Sequence, residues 1–117
     1  MNDEQVTELN LIKNNVIDSM NTILEHNIDD FSKSHVMRCG LILESFIESI
    51  KDISIKNLFF DIAKDTILQL NKLNNSVAGS LIDVMERKEI IELINRACIL
   101  KQFNGTDEDI TKDWREW

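Results

Sequence analysis

The sequence predicts an all-α fold, a single-domain four-helix up-down bundle with a short C-terminal tail or helical turn. Three observations predict it. The 117 residues include no proline and three glycines, so little interrupts a helix. Apolar residues recur at spacings of three and four in four separate stretches, the period of a helix with one buried face. A length of 117 residues suits one core rather than two. The expected division is residues 1–105 for the bundle and 106–117 for the tail.

The first helix uses Val6, Leu9, Ile12, Val16, Met20 and Ile23, and is expected over about residues 3–26. Asp3, Glu4 and Glu8 lie near its start, where the helix dipole favours negative charge. The second uses Phe31, His35, Cys39, Ile42, Phe46 and Ile50. Gly40 falls inside it, at a cost of ~1 kcal/mol relative to Ala, and marks a candidate close contact between helices.

The third helix is expected to start at Ser54 as N-cap and to bury Leu58, Phe59, Ile62, Ile67, Leu70 and Leu73. Asn74 to Ser80 reads as a loop. Asp83 with Glu86 three residues on resembles a capping box, with Asp in place of Ser or Thr, and opens the fourth helix. That helix carries Ile90, Ile91, Leu93, Ile94, Ala97, Cys98, Leu100 and Phe103, then meets Asn104-Gly105 as a stop. Its apolar stripe covers more than half the circumference, which implies burial on two sides. The second side is covered either by the bundle itself or by a dimer partner.

The net charge is −8 and unevenly placed. Residues 1–30 carry seven acids against one base, residues 31–105 nine against ten, and residues 106–117 five against two. A face that grips nucleic-acid phosphates must be basic, so nucleic acid is not an expected partner. No apolar run is long enough to span a membrane, and the start of the chain lacks a signal peptide's basic and apolar regions. The expected setting is cytoplasmic. Cys39 and Cys98 sit within apolar patterns and read as buried free thiols.

Catalytic and metal chemistry finds little footing. His26 and His35 lack a Glu three residues before them, which a di-iron bundle site needs. His35 and Cys39 share a helix face, but zinc wants at least three protein ligands and a nucleophilic thiol wants an orienting acid. The carboxylate pairs Glu44/Glu48, Asp61/Asp65 and Glu89/Glu92 read as solvated faces, with Glu92 positioned to pair with Arg96. No cofactor is expected.

The tail holds the chain's only tryptophans, Trp114 and Trp117, with Ile110, among Asp107, Glu108, Asp109, Asp113 and Glu116. A last helical turn, with Thr106 and Asp109 as a capping box, would set Ile110, Trp114 and Trp117 on one side. That side either packs over the bundle as a strap or is displayed to a partner. An up-down topology brings the start of helix one and the end of helix four to one pole. Asp3 and Glu4 are therefore expected beside Trp114, Trp117, Asp109 and Asp113 as one partner-binding patch.

The functional expectation is a non-catalytic protein–protein interaction module whose acidic surface masks a basic partner. A small acidic helical body is similar in kind to the helical bacteriocin immunity proteins. That resemblance implies an inhibitor or antitoxin-like role and rests on architecture and charge. The alternatives are a structural homodimer built on helix four and an enzyme with an intra-bundle site lined by Glu92, Asn95, His35 or Asp65.

Overall fold

Contacts at the two poles set the topology. The computed structural model describes residues 1–26, 30–103 and 109–117, and holds four α-helices in those residues: α1 (Asp3–His26), α2 (Lys33–Ile50), α3 (Lys56–Asn75) and α4 (Val84–Leu100). At one pole the Met1 ammonium and Lys101 Nζ both donate to the Lys51 carbonyl oxygen, at 2.8 and 3.2 Å. The start of α1 thereby meets the ends of α2 and α4. Toward the other pole Ser19 of α1 donates its hydroxyl to Glu86 in the first turn of α4. Ser80 donates to the Asp30 carbonyl oxygen there. Successive helices therefore run antiparallel, as the sequence predicts.

The helices do not form an even square. α1 packs against both α2 and α4, and α2 packs against α3, but α3 and α4 make no comparable contact. The cleft between α3 and α4 is where the C-terminal segment lies.

The core follows the predicted stripes. Leu9, Val16 and Met20 come from α1, Cys39, Leu43 and Phe46 from α2, Phe59, Ile67 and Leu70 from α3, and Ile90, Leu93 and Ile94 from α4. Each such side chain contributes roughly 1.5–3 kcal/mol relative to exposure. Phe59 centres an aromatic group, with Phe46 edge-on at 6.1 Å and Phe103 at 5.6 Å. Gly40 does face α1, yet a Cβ placed there would sit 3.6 Å from Ile17 Cδ1, an ordinary contact.

The helix ends show where local signals hold and where they yield. Asp83 Oδ1 accepts from the Val84 N–H, and Glu86 Oε1 accepts from the Asp83 N–H, so the predicted capping box forms. Ser54 is not the cap of α3: Ile55 holds that position, without a side-chain bond. Ile53 packs on the core, which draws the preceding chain away from a helical start. Leu58 turns outward, 44% exposed, instead of joining the core.

α4 stops before the predicted Asn104-Gly105, which lie outside the described residues. Gln102 adopts a left-handed φ of 61°. Its N–H donates to the Ile99 carbonyl oxygen and the Phe103 N–H to that of Cys98, the bond pair of a Schellman stop.

Buried polar side chains of α3 are occupied structurally. Asn74 Oδ1 accepts from the N–H groups of Leu81 and Ile82 at 3.0 and 2.9 Å, pinning the α3–α4 loop from inside. Thr66 donates back to the Ile62 carbonyl oxygen.

Candidate functional site: the C-terminal strap and the α2–α3 groove

The tail is a strap laid between α4 and α3. Asn95 of α4 accepts from the Ile110 N–H at 3.3 Å. Asn71 of α3 donates to the Trp114 carbonyl oxygen at 2.8 Å and accepts from the Glu116 N–H at 3.1 Å. Asn75 donates to the Glu116 carboxylate at 2.8 Å. Side-chain amides thus grip the backbone of a segment that has no helix of its own. Ile110, Trp114 and Trp117 pack partly buried against the core.

A clamp within the segment holds its shape. Asp109 accepts from the Thr111 N–H and hydroxyl at 2.9 and 2.5 Å, and pairs with Arg115 at 2.6 Å. Burial works to raise the Asp109 pKa, but these bonds together outweigh it and hold it below the ordinary 3.8. Arg115 also lies 5.6 Å from the Trp117 ring and donates to the Trp117 carbonyl oxygen. Trp117 Nε1 is buried without a hydrogen-bond partner.

The six residues expected to form one patch do not come together. Trp114 and Trp117 are strapped to the core, Asp109 is inside the clamp, and Asp113 alone of the tail's four is exposed. Asp3 and Glu4 are exposed at the start of α1. Asn71, the anchor of Trp114, stands 15 residues beyond Lys56, about 22 Å from the α3 end at the Asp3 pole. The end of α4 does return to the start of α1. The chain then doubles back along the α3–α4 cleft, because that cleft offers Ile110, Trp114 and Trp117 a surface to cover. Thr106, Asp107 and Glu108 lie outside the described residues.

The strap also accounts for the wide stripe of α4. Arg96, on one flank, pairs with Glu8 of α1 at 2.8 Å rather than with Glu92. Asn95, on the other flank, meets the strap. The chain's own C-terminal segment lies along that second side, which the sequence leaves to either the bundle itself or a dimer partner.

Candidate catalytic groups are engaged elsewhere or solvated. Burial, with the nearby Glu86 charge, pushes the Cys39 thiol up to about 12, and burial raises that of Cys98. His35 Nδ1 accepts from the Ser32 N–H at 3.0 Å, capping α2. Glu92 and Asp65 face solvent. Among the described residues no three His, Cys, Asp or Glu side chains converge, and no helix is long and apolar enough to cross a membrane.

A second surface escaped the sequence reading. Between α2 and α3 runs an open groove of three adjoining hollows of about 410, 290 and 440 Å³, each lined by Ile42 and Gln69. Ile62 and Leu73 add to its apolar floor. Met37 and Leu41 stand on its lip, 61% and 63% exposed. Its charges are sorted. His35, Arg38 and Lys72 lie at the end near the α3 C-terminus, and Asp61 and Asp65 at the other. The ammonium of Lys51 and the guanidinium groups of Arg96 and Arg115 are ion-paired, whereas among the described residues Arg38 and Lys72 form no ion pair. The Ser32 bond makes Nδ1 of neutral His35 an acceptor, so Nε2 carries the proton and is a further donor. The available signal in the sequence was Met37 and Leu41, apolar residues off the buried stripe.

The class these features define is an all-α four-helix bundle with a strapped C-terminal segment. No family model, curated protein or solved structure matches the chain.

Proposed function

We propose that the protein is a non-catalytic protein–protein interaction module and that a helical element of its partner lies along the α2–α3 groove. The observation that carries this reading is the groove's composition. An apolar floor and two exposed apolar lip residues run between a cationic end and an acidic end. A helix presenting apolar side chains at spacings of three and four, acidic at one end and basic at the other, is its complement. The net charge of −8 speeds encounter with partners that are basic overall, which keeps the masking of a basic protein within this reading.

Site-specific photocross-linking in cells tests it. A photoreactive residue at Ser45, in the groove, is compared with one at Asn14, on the exposed face of α1. The expected result is discrete protein adducts from position 45 alone, lost when Arg38→Glu and Lys72→Glu reverse the cationic end. Equal adducts from both positions, or adducts indifferent to the reversal, overturn the reading.

A further inference from the structure

We infer that the element filling the α2–α3 groove is the same groove of a second copy, giving a two-fold homodimer. This rests on the reading of the groove as a docking surface and names its occupant. The argument is self-complementarity. In a two-fold interface every contact occurs twice, so a surface pairs with itself only if rotation brings unlike features together. The α2–α3 groove meets that condition.

Ile42 and Gln69, common to all three hollows, mark its middle. Arg38 and Lys72 lie toward one end, and Asp61 and Asp65 toward the other. On α3 the step from Asp65 to Lys72 spans about 10 Å. A two-fold axis lying between the copies, perpendicular to the helices at the level of Ile42 and Gln69, sets Lys72 of each copy, about 4–5 Å from that level, opposite Asp65 of the other, about 6 Å from it, with Arg38 at the same level on α2. Two Lys72–Asp65 pairs then form from two identical halves, and Asp61, about 12 Å from the axis, extends the acidic end that each cationic end faces. The same rotation brings Leu41 of each copy close to the axis, which removes its exposed side chain and that of Met37 from water.

Among the described residues neither Arg38 nor Lys72 forms an ion pair, so docking creates pairs without breaking a described one. Two chains of charge −8 repel at a distance. At physiological ionic strength that repulsion is screened beyond about 8 Å, while the pairs across the groove act at contact. α4 is not the seam, because the strap occupies its second flank.

Sedimentation velocity on the full chain, at physiological salt and over a range of concentrations, tests the inference. The parent protein is expected to pass reversibly from monomer to dimer. The variant R38E/K72E, acidic at both ends, and the variant D61K/D65K, basic at both ends, are each expected to lose self-association by about a hundredfold or more. Mixed in equal amounts they form a heterodimer. The variant with all four changes, whose polarity is reversed end for end, dimerises again. Circular dichroism checks that each is folded. A parent that stays monomeric throughout, or charge-reversed variants that associate as the parent does, overturns the second copy as occupant. The cross-linking at Ser45 separates the two levels. Charge-sensitive adducts to other proteins from a monomeric parent leave the docking surface standing, whereas no groove adduct of either kind removes both.

Discussion

Asn71 donates its side-chain amide to the Trp114 carbonyl oxygen at 2.8 Å, tying the last helical-spaced aromatic pair to the third helix from 43 residues away. The other side of the same amide accepts from the Glu116 N–H. One buried asparagine thus fixes the backbone on both sides of Arg115. Asn71→Ala removes two bonds worth about 1 kcal/mol each and leaves backbone groups short of partners. The expected cost is roughly 2–3 kcal/mol, a fall in Tm of roughly 10 °C. Tryptophan emission in the folded variant shifts to the red, because both indoles sit on the released segment. An unchanged emission maximum contradicts the strap.

The indole of Trp117 packs on the core with Nε1 buried and unpartnered. A buried donor without an acceptor costs about 1–3 kcal/mol. Trp117→Phe deletes that donor and keeps most of the ring contact, including the face near Arg115. Its unfolding free energy is expected to equal or exceed the parent's by up to about 1 kcal/mol. Trp117→Ala, which loses the ring, is expected to cost about 2 kcal/mol or more. Denaturant unfolding of both variants checks the sign. A Phe variant as weak as the Ala variant would show that Nε1 finds a partner in solution.

Acid should release the strap before it melts the helices. The folded-state pKa of Asp109 lies below its ordinary 3.8, so its contribution is complete above that value. It is lost as pH falls through the lower, folded value. Tryptophan emission is expected to move on the acid side of 3.8 while helical ellipticity persists. Asp109→Asn abolishes that separate step and loosens the tail at neutral pH. Emission and ellipticity falling together in the parent would place the clamp outside the strap's stability.

The helices were legible because their signals are local. The period of three and four located α1, and the Asp83–Glu86 pair located the start of α4 to the residue. Signals that depend on distant chain were not legible. Ser54 has the right chemistry for a cap, but Ile53 is drawn to the core. Glu92 has the right spacing for Arg96, but Glu8 of α1 lies closer. The wide stripe of α4 said that a second cover exists and could not say that residues 109–117 supply it. Asn71, Asn74, Asn75 and Asn95 each hold non-helical backbone or a tail side chain. Asparagine inside an otherwise apolar helical stripe was the available clue.

The end of α4 uses a residue poorly suited to its backbone. Gln102 holds φ at 61° where its Cβ is crowded, in the position that glycine usually fills in a Schellman stop. Gln102→Gly keeps both closing bonds, since these come from the N–H groups of residues 102 and 103. A gain of about 1 kcal/mol is expected, read as a Tm a few degrees higher. A loss instead would mean that the Gln102 side chain contributes more to the native state than the left-handed strain costs.

Gly40 presents the converse case, a glycine within a helix that the packing does not require. Its φ is helical, and the added methyl of Gly40→Ala would meet Ile17 Cδ1 at 3.6 Å, neither clashing nor leaving a void. Alanine restricts the unfolded chain and favours the helix by about 0.5–1 kcal/mol, and the new contact adds buried apolar area. The variant is expected to unfold later than the parent in heat and in denaturant, with an unchanged denaturant slope. A lower midpoint would mean that α1 and α2 approach more closely at Ile17 than 3.6 Å allows, and that the glycine sets the distance between them.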